Sequence, residues 1–272
     1  MMHRTIGSLA VGSVLVVSAT TATAQDITVT IENLQPTDGF AFTPFWVGVH
    51  NGGFDSYDGG ATLAGFPGTE ELAEVGDTGP ISAAFGTSAA GLAGGVDLTI
   101  TSPSTTPPVF TPGDTGSATF SVGDATVNRY FSYASMVIPS NDLFVANGNP
   151  FAIELFDAFG NFNGPVEILL FGRDVNDAGT EANDALDGPA FVAGQVGTAG
   201  TVTDVAVFNI FDDPTIPAHL DSFIGTSNPL YTVGSSFGPD DLIARITIVP
   251  EPASAAVAGL LGLGLLRRRR LI

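Results

Sequence analysis

Four stretches of the chain alternate apolar and polar residues: Ile27-Thr28-Val29-Thr30-Ile31, Asp97-Leu98-Thr99-Ile100-Thr101, Ala118-Thr119-Phe120-Ser121-Val122 and Ala244-Arg245-Ile246-Thr247-Ile248. Successive side chains of a strand point to opposite faces, so this period buries one face of an antiparallel sheet and wets the other. More continuously apolar runs at 45–49, 130–138, 151–156, 166–171 and 202–210 suit strands buried inside a sandwich. Clusters of Gly, Pro, Asn and Asp punctuate them. The one helical turn expected is 69–74, where Thr69 would cap Glu70-Glu71-Leu72 and the early acids complement the helix dipole. Long stretches with a 3.6-residue period are absent. The expected fold class is therefore all-β, an antiparallel β-sandwich with long acidic loops.

Cysteine is absent, which excludes disulfides, thiolate chemistry and zinc held by sulfur. Stability must come from packing. No linker-like change of composition divides residues 25–249, so one large domain is expected there.

Both ends of the chain carry sorting features. Residues 1–4 form a short basic region, 6–19 are apolar and small, and Ala22-Thr23-Ala24 offers a cleavage site after Ala24, so that a mature protein begins at Gln25. At the other end Val249-Pro250-Glu251-Pro252 precedes the apolar run 253–266, then Arg267 to Arg270. That run is shorter than the roughly 20 residues a membrane-spanning helix needs. The arginines would hold the far end on the cytoplasmic side. An N-terminal anchor and a plain C-terminal anchor helix are the alternatives to these two readings.

The order and terminal position of Pro250, Glu251, Pro252, the hydrophobic segment and the arginine cluster resemble the PEP-CTERM sorting signal. That resemblance implies export across the inner membrane of a Gram-negative bacterium that secretes exopolysaccharide. It also implies transient membrane tethering through the tail, and processing by an exosortase-type enzyme that leaves the protein at the cell surface or secreted. The chain then divides into a signal peptide at 1–24, a body at 25–249 and a sorting tail at 250–272.

Removing both signals sharpens the charge. Of 28 acids only Glu251 lies outside the body, and of eight basic residues only Arg129, Arg173 and Arg245 lie inside it, giving a body of formal charge −24. Such a surface repels nucleic acid and anionic lipid and attracts cations. The acids concentrate between Arg173 and Gly188, where Asp174, Asn176, Asp177, Glu181, Asn183, Asp184 and Asp187 fall within a glycine-containing loop. Hard oxygen ligands at this density suit Ca²⁺, which accepts six to eight oxygens in flexible geometry. The segment is not an EF-hand, because Ala178 and Ala185 occupy positions five and twelve counted from Asp174. On composition alone a solvated acidic loop and a calcium site stand level.

Pro139-Ser140-Asn141-Asp142-Leu143-Phe144-Val145, followed by Asn176-Asp177-Ala178-Gly179-Thr180-Glu181, resembles the N-terminal domain of the spondins. This likeness implies a C2-like β-sandwich that binds calcium through acidic residues of the two segments: Asp142, Asp177 and Glu181, the last standing where the family has Asp. Asp174, Asn176 and Asp184 are further oxygen-bearing residues without that support, read as solvated. The implied function is calcium-dependent adhesion or extracellular-matrix interaction without catalysis, with exopolysaccharide or a cell-surface ligand as partner.

Two other classes compete with it: a hydrolase of extracellular polysaccharide and a purely structural matrix component. Gly234-Ser235-Ser236-Phe237-Gly238 matches G-x-S-x-G, but that motif requires a strand-to-helix turn, whereas here Pro239-Asp240-Asp241 leads into a strand-like run. His50 and His219 are the histidines available outside the signal region. Trp46, with Phe42 and Phe45, reads as core rather than as a sugar-stacking platform.

Overall fold

The computed structural model describes residues 25–228 and 230–251. Its strands in chain order are β1 (Gln25–Asn33), β2 (Ala41–Phe42), β3 (Phe45–His50), β4 (Val96–Ile100), β5 (Thr115–Val122) and β6 (Tyr130–Ile138). They continue with β7 (Leu143–Ala146), β8 (Val166–Phe171), β9 (Val175–Asp177), β10 (Phe208–Asn209) and β11 (Leu242–Pro250). Helices α1 (Thr69–Val75), α2 (Gly79–Thr87) and α3 (Ala89–Leu92) join β3 to β4, and α4 (Ile216–Ser222) precedes β11. The expected all-β sandwich is present: an antiparallel four-stranded sheet, ordered β5-β1-β11-β8, packs against a seven-stranded one ordered β10-β9-β7-β6-β3-β4, with β2 pairing β6.

Alternation sets the first sheet. Ile27, Val29 and Ile31 are fully buried, and the register places Val29 opposite Ile248 and Ile31 opposite Ile246, so one continuous aliphatic face meets the second sheet. Thr28, Thr30 and Glu32 lie on the other, partly exposed face. There Glu32 and Arg245, cross-strand neighbours, form an ion pair at 2.5 Å.

The second sheet is buried on both faces over β3, β7 and most of β6. Phe45, Val47, Val49, Leu143 and Val145 join the core between the sheets. Trp46 and Phe144, on the opposite phase, pack into a second core with Leu72, Ile81 and Phe85 from α1 and α2. That helical cover explains why β3 and β6 read as apolar runs rather than as alternation.

Several expectations need correction. The run 151–156 is not a strand; it makes only isolated bridges at Glu154 and Phe156. Within 202–210 only Phe208–Asn209 is a strand, and Val202 and Val205 are exposed. Thr69 does not cap α1: it is the first helical residue, Gly68 is the cap in a left-handed conformation, and Thr69 Oγ1 donates instead to the Ser56 carbonyl at 2.7 Å. Helices α2, α3 and α4 lie outside the one expected helical turn, although α2 and α4 each carry Pro in the first turn and an i, i+4 buried pair, Ile81 with Phe85 and Ile216 with Leu220.

The signal segment with its cleavage point at Ala24, Pro252 and the tail after it lie outside the described residues. Pro250 closes β11 opposite Ile27, and the Glu251 amide donates to the Asp26 carbonyl at 2.9 Å. Among the described residues no helix is long and apolar enough to cross a membrane.

Candidate metal centre

Asp142 occupies the turn between β6 and β7, and Asp177 closes β9. Pairing of β7 with β9 puts Leu143 opposite Asp177, and the Ala178 amide donates to the Asp142 carbonyl at 3.2 Å, so the two segments meet at one end of the seven-stranded sheet. Neighbouring side chains fasten the junction. Ser140 Oγ donates to the Val137 carbonyl at 2.6 Å and accepts from the Leu143 amide at 3.1 Å. Asn141 donates to the Asp187 carbonyl at 2.8 Å and accepts from the Asp184 amide at 3.2 Å.

Both aspartates organise the loop that follows. Asp142 Oδ2 accepts from the Thr180 amide at 2.8 Å, the Thr180 hydroxyl at 3.2 Å and the Glu181 amide at 3.0 Å. Asp177 accepts from the Gly179 amide at 2.8 Å and from Asn183 Nδ2 at 2.5 Å. Gly179 makes this return possible: its φ is +70°, and a Cβ there would stand 2.5 Å from the Val205 carbonyl oxygen. Reading motif residues only as ligands overlooks these backbone contacts, which the Asp-x-Gly spacing of a side-chain-capped turn signals.

The charge balance is unusual. Asp142 and Asp177 are both buried, at 0% and 1% exposure, and Asp142 Oδ1 has no hydrogen-bond partner among the described residues. Burial, then the neighbouring Asp177, pushes the Asp142 carboxyl up to about 8. Burial raises Asp177 as well, opposed by its bonds from Asn183 and Gly179. The arginines of the body are engaged elsewhere: Arg129 with Glu154, Arg173 with Asp240, and Arg245 with Glu32 and Glu167. Among the described residues no arginine balances the pair.

Glu181 contributes its amide to Asp142, but its carboxylate turns toward a second acidic group. The residue is 4% exposed, Oε2 is unpartnered, and a Cβ on Gly200 would lie 2.4 Å from that oxygen. Burial and then Glu74 push the Glu181 carboxyl up to about 7. Among the described residues no three His, Asp or Glu side chains converge tightly enough to enclose a metal ion. Asp142 and Asp177 are thus brought together, while the Glu181 carboxylate stands apart from them.

The remaining candidates have local partners. Asp174 accepts from the Phe171 amide at 2.8 Å, and Asp184 from the Leu186 amide at 2.9 Å. Asn176, expected to be solvated, is 9% exposed and donates to the Tyr57 hydroxyl at 3.1 Å. Ser236 bonds Asp221, and neither Ser235 nor Ser236 hydrogen-bonds a histidine among the described residues. His50 Nδ1 accepts from the Gly52 amide at 2.9 Å, so Nε2 carries the proton and donates to Ser132 Oγ at 2.9 Å. A base for Ser132 would need the reverse tautomer. Trp46, Phe42 and Phe45 are fully buried and offer no stacking platform. A scan of protein-family models and a search of the curated proteins found no match to this chain.

Proposed function

We propose that this protein is an exported, non-catalytic, calcium-binding β-sandwich that serves adhesion or matrix interaction outside the cell, sorted through its C-terminal tail by an exosortase-type enzyme. One observation carries the reading: Asp142 and Asp177 are buried side by side with an unpartnered Asp142 oxygen and no arginine to balance them. Buried carboxylates in that state stay neutral or acquire a cation, because leaving both ionised and unpaired costs several kcal/mol. The donor set fits calcium in part. Asp142 and Asp177 would hold the ion, a hard divalent cation would neutralise both, and Glu181 would complete the set only by turning its carboxylate from Gly200. The resemblance of both acidic segments to the spondins supports the same pair.

The sorting part of the proposal draws on the paired terminal signals. Ile27 and Pro250 are register partners in neighbouring strands, an adjacency consistent with that reading.

Thermal unfolding with calcium, magnesium and matched ionic strength tests the metal. A ligand that binds only the folded state adds about 2.7 kcal/mol at a hundredfold excess over Kd. Calcium should exceed magnesium. Asp142→Asn and Asp177→Asn should each remove most of that difference, while Asp114→Asn, outside both segments, keeps it. Equal responses to both ions in all four proteins would overturn the calcium site.

A further inference from the structure

On the face beside β9 and β10 an open cleft of about 460 Å³ lies between the Tyr57 loop and the sheet edge. That volume is within the range of small-ligand sites. Gly59, Gly60, Phe208 and Asp212 are among the residues that line it. Tyr57 is set by its neighbours: its ring meets Phe144 edge-on at 5.1 Å, and a Cβ on Gly148 would come within 2.8 Å of it. Only glycine at 148 allows the ring this position.

The polar groups of the cleft divide into spent and free ones. Asn209 is spent, since Nδ2 donates to the Arg173 carbonyl at 2.5 Å and Oδ1 accepts from the Phe211 amide at 3.1 Å. Tyr57 Oη accepts from Asn176 Nδ2 at 3.1 Å, which leaves the phenolic hydrogen free to donate. Asn176 Oδ1 and the exposed Asp212 carboxylate accept no hydrogen bond among the described residues. One donor and two acceptors therefore face the space beside an aromatic ring and bare backbone. Asp55 and Asp174 lie near Tyr57 and, after burial, raise its pKa further, so the field in the cleft is negative. No arginine lines it. Phosphate, sulfate and uronate groups are repelled, whereas a hydroxyl, which donates and accepts at once, satisfies both kinds of free group.

We propose that this cleft binds one or two rings of a neutral saccharide, with Tyr57 donating to one hydroxyl and Asn176 and Asp212 accepting from others. This deepens the matrix-binding reading by naming a ligand class for it, and it uses none of Asp142, Asp177 or Glu181.

Affinity electrophoresis of the purified protein through gels containing dextran, galactomannan, xylan or polygalacturonate tests the site, each run in chelator and the neutral polymers also in calcium. At least one neutral polymer should retard the protein and polygalacturonate should not. Tyr57→Phe, which keeps the ring and removes the free donor, should weaken retardation roughly tenfold, and Asp212→Ala by several-fold. Asp114→Asn should migrate as the unaltered protein. The cleft is not a saccharide site if no neutral polymer retards the chain, if polygalacturonate retards it as strongly, or if Tyr57→Phe and Asp212→Ala bind undiminished. Retardation that persists in chelator while calcium gives no specific thermal shift would reject the metal and keep the cleft; a calcium shift without retardation would do the reverse.

Discussion

The two sheets of this sandwich share a core but differ in what lies on their outer faces. The four-stranded sheet leaves its far side to water, and its polar residues there include threonines, Ser117, Ser121 and the charged group Glu32, Glu167 and Arg245. The seven-stranded sheet is covered by the first sheet on one face and roofed by α1 and α2 on much of the other, so many of its polar residues are buried: His50, Ser132, Ser135, Asn176 and Asp177 are all at or below 9% exposure. A buried polar group needs a partner or costs free energy. Chemistry therefore concentrates in the second sheet, where partners are limiting, and Asp142 Oδ1 and Glu181 Oε2 are among the buried atoms left without one among the described residues.

The largest difference between the sheets should appear on truncating a side chain under the roof. Trp46 is fully buried between Phe54 and Phe85, with ring centroids at 5.3 and 5.6 Å, and its indole donates to Asp97 at 2.8 Å. Trp46→Ala should lower stability by about 3–5 kcal/mol. On the open face Thr30→Ala should cost about 1 kcal/mol or less. Denaturant midpoints measure both, and similar losses would mean that the roof adds no packing of its own.

This contrast also explains what the sequence could show. Alternation at 27–31 and 244–248 was legible because one face of those strands meets water. Burial on both faces erases that signal, so β3 and β6 were readable only as apolar runs, indistinguishable in kind from 151–156 and 202–210. The latter failed as strands because their apolar residues do not all go inside: Phe151 is 56% exposed and Val202 68%. Asn147 and Asn149 take over backbone bonding near Phe151, with Asn149 Oδ1 accepting from the Phe151 amide at 2.9 Å. At the site, the meeting of Asp142 with Asp177 followed from the two motif segments. The direction of the Glu181 carboxylate did not, because it depends on Gly200 and Glu74, far away in the chain.

Titration separates buried groups by sign. Asp142 has its folded pKa raised toward 8, above the usual carboxylate value near 4, so the folded state holds a proton that the unfolded chain releases. Without metal, this contribution of Asp142 should be full below about pH 4 and fall as pH rises toward 8, by at most about 1.4 kcal/mol per unit. In chelator at pH 8, Asp142→Asn should then be more stable than the unaltered chain, while losing the calcium response. His50 is pushed down to about 4 by burial, so its contribution is present above the ordinary histidine value of about 6.5 and lost as pH falls toward 4. His219 is pushed down to about 4 by burial as well, so His50→Gln should reduce that acid limb without abolishing it and leave the alkaline one. Unfolding measured across pH 4–9 in chelator checks both, and an Asp142→Asn chain that is less stable at pH 8 would show that the carboxylate is ionised and compensated.

The smallest effect belongs to the open face of the first sheet. Arg245 reaches Glu32 at 2.5 Å and Glu167 at 3.5 Å, but its side chain is 36% exposed and Glu167 55%. Water screens such pairs, and holding long side chains in one geometry costs entropy, so exposed ion pairs contribute about 0–1 kcal/mol. Arg245→Gln should destabilise the domain within that range, and the loss should shrink between low salt and about 1 M, where the screening length falls to roughly 3 Å. A salt-independent loss would show that the aliphatic stem of Arg245, rather than its charge, holds β11 against β1 and β8. The proposed calcium response should behave oppositely: an ion held by the buried Asp142 and Asp177 would be shielded from the electrolyte, so its thermal shift at saturating calcium should survive salt that abolishes the Arg245 effect.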